Sequence, residues 1–176
     1  MNTYEKQFDM FHKTPVYWHN KSCDLYVSAY TLWKAMKENR DLEVNCSSTY
    51  KMLMGMSFEL IFKAHYVGQC VGENIEINYS HNLATLAKKA EFPISNEEKE
   101  IFSVLTEYIY WDGKYPIPKK KDLLKNHWNN ESKVTNDEKM FGDSDLKFLV
   151  SNNKLDHENL SLIWRKYSDI FMDKYN

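Results

Sequence analysis

The residues in this 176-residue chain best suited to chemistry fall in three places. His81, within Ser80-His81-Asn82-Leu83, carries an imidazole whose ordinary pKa lies near neutrality. It can act as an acid–base group or contact a phosphate or a base. Glu59 and Lys63 stand four apart, in the favourable order for a helical ion pair. Partly buried on an apolar helix, they would brace His81 or line a pocket. Trp111, Lys114 and Tyr115 set a cation between two aromatics, a combination that can stack a base and hold its phosphate. Each group also has a plainer reading. His81 can bond to a neighbouring helix, Glu59 and Lys63 can be a surface pair, and Trp111 and Tyr115 can pack under the Pro116–Pro118 turn. His81, Glu59, Lys63, Trp111, Lys114 and Tyr115 are the candidate ligand-binding residues.

Cations are almost all lysine, since Arg40 and Arg165 are the only arginines. Planar, two-pronged gripping of a phosphate is therefore available at two positions. Lys119-Lys120-Lys121, with Lys114 and Lys125, concentrates positive charge locally, although such runs are usually solvated faces. The formal charge of −2 excludes a broadly basic nucleic-acid surface. No H-E-x-x-H, paired C-x-x-C, P-loop, G-x-G-x-x-G or nucleophile elbow occurs, and His65 lacks a partner at metal-ligand spacing. No metal or cofactor is expected. Cys23, Cys46 and Cys70 are an odd, scattered set, which fits free thiols in a reduced, cytoplasmic setting. The polar first turns, with Glu5, Lys6, Asp9 and His12, read as no signal peptide, and no run is long and apolar enough for a membrane helix.

The elements that must position these residues read as helices. With 43% hydrophobic and 15% aromatic residues the chain can build a core, and 176 residues suit one domain. Few glycines and prolines interrupt it. The spacing predicts a short helix over Thr3–His12 ended by Pro15, a second from Ser22 through Met36, and a polar loop over Glu38–Ser48. A central helix is expected over Thr49–Val71 with Gly72 as its stop, then an extended loop over Asn74–Tyr79. Asn82–Glu91 predicts a third amphipathic helix. Ser95 and Glu98 form a capping box that starts the next one, which Gly113 stops. Lys121–Asn129 reads as a weaker helix, Glu131–Asp145 as an irregular polar stretch, and Asp145–Val150 as a turn or two of helix. Asp156 caps a final helix carrying Leu160, Ile163, Trp164, Tyr167, Ile170 and Phe171. The expected fold class is an all-α bundle of about five or six helices.

Three stretches carry a resemblance. Ser57-Phe58-Glu59-Leu60-Ile61-Phe62-Lys63-Ala64, followed by Ser80-His81-Asn82-Leu83, resembles the bacterial HEPN-like superfamily. Trp111-Asp112-Gly113-Lys114-Tyr115-Pro116-Ile117-Pro118 is similar to the W-x-G-(R/K)-Y-P-x-P ending of one subgroup. The likeness covers roughly 22–118, leaving 119–155 as a less regular region and 156–175 as the final helix. It implies an up-and-down helical bundle, often a homodimer, found among toxins, antiviral ribonucleases, ligand binders and non-catalytic protein partners. Nuclease members carry an R-x(4–6)-H motif, in which arginine grips the scissile phosphate and histidine moves protons. Here Arg40 has no histidine in that interval, and Arg165 is followed by none; His157 precedes it in reversed order. The departure favours a non-catalytic or catalytically divergent protein that binds a ligand, RNA or a protein partner in bacterial stress or phage defence. Two alternatives stand beside it. One is a metal-independent ribonuclease with an atypical site built from His81, Arg165 and Lys114. The other is a structural dimerisation module.

Overall fold

In a computed structural model, the protein is described over residues 2–70, 80–140, 142 and 146–175. Seven α-helices and one two-stranded hairpin make up the described residues: α1 (Thr3–Lys13), α2 (Pro15–Glu38), α3 (Arg40–Gln69), α4 (Leu83–Lys89), α5 (Asn96–Glu107), α6 (Lys121–Thr135), β1 (Asn136–Met140), β2 (Lys147–Ser151) and α7 (His157–Tyr175). A single π-helical turn, Tyr108–Asp112, extends α5. The fold is thus mainly helical, with more helices than the periodicity suggested and a hairpin it did not suggest.

Two boundaries move for identifiable reasons. Pro15 opens α2 instead of only closing α1. Proline at the first helical position loses no hydrogen bond, because that N–H would have no partner anyway. The expected loop over Glu38–Ser48 is instead the start of α3. Asn39 caps it by accepting from the Asp41 N–H at 2.9 Å, and Asp41 and Glu43 favour the positive end of the helix dipole. Its polarity reports exposure to water, not irregular backbone. The predicted stop at Gly72 and the loop over Asn74–Tyr79 lie outside the described residues; the observed end of α3 is Gln69, with Cys70 as its cap. At the other extreme, the Ser95–Glu98 capping box forms as expected, with bonds of 2.7 and 3.0 Å.

The third revision is the hairpin. β1 and β2 pair antiparallel from Asn136↔Ser151 to Met140↔Lys147, where the sequence reading expected polar loop and a helical turn. The Asn152 N–H donates to the Thr135 carbonyl at 2.8 Å and closes the base of the pair. Both strands lie mostly exposed, so neither carries the alternating apolar signal of a half-buried strand.

α3 runs through the middle of the core, packing against α2, α4, α5 and α7. Phe58 and Phe62 of α3, Phe102 of α5 and Tyr167 and Phe171 of α7 are fully buried. Phe62 meets Phe102 and Tyr167 edge-on, with ring centres 5.4 and 5.0 Å away. Gly55 and Gly113 permit close approaches. A Cβ on Gly55 would meet Ile109 Cγ1 at 2.9 Å and the Leu105 carbonyl at 3.1 Å, so α3 and α5 could not pack this closely around a larger residue. A Cβ on Gly113 would run into Met52. Gly113 has an ordinary φ of −74°, so it stands at the end of the π turn for space and not for a left-handed conformation.

Candidate functional site

Glu59 and Lys63 lie on the α3 turn facing the loop before α4, and both are buried. Lys63 Nζ donates to Glu59 Oε1 at 2.6 Å, and His81 Nδ1 lies 2.8 Å from Glu59 Oε2. Each carboxylate oxygen therefore has its own nitrogen. Glu59 and Lys63 both lie on α3, so His81 is the member of the trio that ties the loop before α4 to that helix. Asn82 caps α4 by accepting from Thr85 N–H at 2.9 Å, and the Leu83 N–H donates to Thr106 Oγ1 at 3.1 Å. The His81 ring, with 43% of its side chain exposed, stands edge-on to Tyr110 at 5.6 Å.

Tyr110 leads from His81 into a cleft of about 730 Å³. The π turn supplies Tyr110 and Trp111, and the segment after it supplies Tyr115 and the Pro116–Pro118 turn. Glu107, Lys119 and Leu123 complete the lining. A π turn inserts one residue into a helix and is frequent at functional sites. Here it buries Trp111 while leaving Tyr110 half in solvent. Tyr115 is 59% exposed, so only one side of it is covered by the turn. The cleft thus combines three aromatic side chains with one carboxylate and one ammonium. Lys119 takes the lining position; Lys114 is exposed in the adjoining turn and is not among the lining residues.

Behind the cleft lies a polar network that the sequence reading missed. His127 of α6 is buried among Glu107, Asp112 and Glu131. Its Nδ1 is 2.7 Å from Glu107 Oε2, and its Nε2 is 3.8 Å from Asp112 and 3.9 Å from Glu131. Burial alone would lower the His127 pKa. The hydrogen bond to Glu107 and the charges of Asp112, Glu107 and Glu131 outweigh that and raise it. Lys51 reaches in from α3 to Glu131 Oε1 at 2.6 Å and to Tyr108 Oη at 3.0 Å. Burial would push the Glu131 carboxyl up, but Lys51, Tyr108 and His127 hold it below the usual range. Burial and the Glu131 charge keep the Tyr108 phenol protonated. Ser48 donates to Asp112 at 2.9 Å, and Asn130 to Glu107 at 3.0 Å. The one sequence signal was the i,i+4 spacing of His127 and Glu131 on a polar helix, which also carries Asn130; the remaining partners come from α3, α5 and the π turn.

The other sequence candidates have different surroundings. Arg165 is exposed on α7. Among the described residues no hydrogen bond, ion pair or ring contact joins His81, Lys114 and Arg165. His65 is buried and shares a hydrogen bond of 3.0 Å between Nε2 and the Tyr167 carbonyl. Among the described residues no group of three or more His, Cys, Asp and Glu side chains is arranged to hold a metal ion, and the cysteines are free. No described helix is long and apolar enough to cross a membrane. Compared with known proteins, the chain has no match to a family model, to a curated protein or to a solved structure.

Proposed function

We propose that this chain is a HEPN-like helical protein without the family's nuclease chemistry, and that it binds a nucleotide or single-stranded RNA in the aromatic cleft. The observation that carries this reading is the joint lining of one cleft by Tyr110, Trp111, Tyr115 and Lys119. Aromatic faces take bases of any sequence by stacking, and a lysine at the same wall meets the phosphate. Lys120 and Lys121 follow directly at the start of α6, and Lys114 stands in the turn before the prolines, so three further exposed lysines flank the lining segment in the chain. The His81 imidazole supports a structural role, because its Nδ1 is engaged by a carboxylate that also holds Lys63. HEPN-like identity rests on the resemblance in the sequence.

The test is a titration of the purified protein with a fluorescent single-stranded oligoribonucleotide, alongside incubation with total RNA and tRNA with and without a divalent cation. Saturable binding that weakens steeply with salt is expected, since neutralised phosphates release counterions. No cleavage is expected. Absence of binding, or RNA cleavage abolished by His81→Ala, would overturn the reading.

A further inference from the structure

The geometry points to Glu107 as a base-selecting residue: we infer that the cleft prefers guanine over the other bases. The inference rests on the nucleotide-binding reading above. Glu107 is the last residue of α5 before the π turn, and it lines the cleft. Its two oxygens are gripped from α6. The Oε2 atom accepts from His127 Nδ1 at 2.7 Å, and Oε1 accepts from Asn130 Nδ2 at 3.0 Å. His127 is 2% exposed and is itself boxed in edge-on by Tyr108 and Trp111, both with ring centres at 5.1 Å. The carboxylate is therefore fixed in orientation by groups that cannot move freely, as a recognition group needs.

A carboxylate has about four acceptor positions and no donor. Two are used by His127 and Asn130, while 23% of the Glu107 side chain stays exposed and the residue lines the cleft. One free acceptor position on each oxygen asks for two N–H groups side by side. Guanine presents that pair, N1–H and the N2 amino group. Adenine and cytosine each place a ring-nitrogen acceptor beside one amino group. Uracil flanks its single N–H with two carbonyl oxygens, which would face the carboxylate unfavourably. Hypoxanthine keeps N1–H and lacks the amino group. Stacking on Tyr110 and Tyr115 would be shared by all of these bases, so the discrimination falls to Glu107.

Intrinsic fluorescence or calorimetric titration of the wild-type protein with GMP, IMP, AMP, CMP and UMP tests this without any substitution. GMP is expected to bind about tenfold or more tightly than IMP and the other three, the scale of one good bidentate contact. Parallel titrations with AAGAA and AAAAA oligoribonucleotides distinguish a free nucleotide from a guanine within RNA. Preference for AAGAA above GMP assigns the strand, and the reverse assigns the mononucleotide. In Glu107→Gln, whose amide offers only one acceptor oxygen, the preference for GMP over IMP should shrink severalfold in protein whose helical signal is unchanged. Equal affinity for all five nucleotides would overturn the guanine inference and leave the nucleotide reading standing. No binding of any of them, mononucleotide or oligomer, would overturn both.

Discussion

His65 and His127 are equally buried, each 2% exposed, yet their surroundings differ in kind. They report on opposite parts of α3, the first near its C-terminal end and the second beside Lys51, roughly 20 Å back along the helix. His65 is enclosed by rings, with Phe92 at 4.3 Å, Phe171 at 5.4 Å and Tyr175 at 5.7 Å, and has one carbonyl for company. Burial, opposed only by the bond to the Tyr167 carbonyl, pushes its pKa down to about 4. His127 meets the same burial, but its carboxylate neighbours reverse the outcome. Burial alone does not set a histidine's charge; what shares the burial does. One region is a dry scaffold of stacked rings. The other is a charged network whose outer member, Glu107, opens onto a cleft.

Truncating the dry region should have the largest effect. Phe62→Ala removes a ring that touches three elements and should cost about 3–5 kcal/mol in chemical unfolding. Oligonucleotide affinity, measured well below the new melting temperature, should be unchanged if the two regions are independent.

The next effect is the pH response, and the two histidines give it opposite signs. An unfolded imidazole takes a proton below about pH 6.5, whereas folded His65 resists until about 4. The unfolded chain then binds more protons between those values. His65 therefore contributes stability that is complete above about pH 6.5 and drains away toward pH 4, by about 3 kcal/mol. Burial lowers His19 and His157 too, in the same direction. His127, whose folded pKa is raised, contributes stability that is complete below about pH 6.5 and is lost as pH rises through its folded value. Unfolding curves across this range should show His65→Gln with a shallower loss on acidification than wild type. Ring titration by NMR should find His127 protonated at pH values where His65 is neutral. A reversed order would remove the contrast.

The scaffold was far more legible in the sequence than the charged network. The aromatic stripe of α7 and the Ser95–Glu98 cap could be read because periodicity and caps are local. Glu59 and Lys63 could be placed together for the same reason, four residues apart on one helix. The Glu38–Ser48 segment misleads because its polar composition resembles a loop, although Asn39 is a cap in plain view. The His127 network stayed hidden because Lys51, Glu107, Asp112 and Glu131 are far apart in the chain, and only the packing of α6 on α5 and α3 gathers them. Tyr110 was missed because its side of the helix is decided by the π turn, which no spacing rule announces.

The smallest effect belongs to the rim of α4. Glu91 adopts φ 58°, a left-handed position that favours glycine. Glu91→Gly should raise stability by about 0.5–1 kcal/mol, read as a higher melting temperature, with no change in ligand binding. The exchange also removes a long contact, 3.4 Å from Gln69 Nε2 to Glu91 Oε2.

The claim at the centre is that the cleft beside the π turn, and not merely any exposed aromatic surface, binds the base. A second depression, lined by Phe8, Phe11, Tyr17 and Trp18 between α1 and α2, provides the control. Tyr115 and Phe8 are both well exposed, so neither truncation should disturb folding. The deciding measurement is oligoribonucleotide affinity of Tyr115→Ala against Phe8→Ala, each compared with wild type. Tyr115→Ala should weaken binding about tenfold, the scale of one lost stacking partner, and Phe8→Ala should leave it unchanged. Equal affinities for both variants, or a loss confined to Phe8→Ala, would contradict the account.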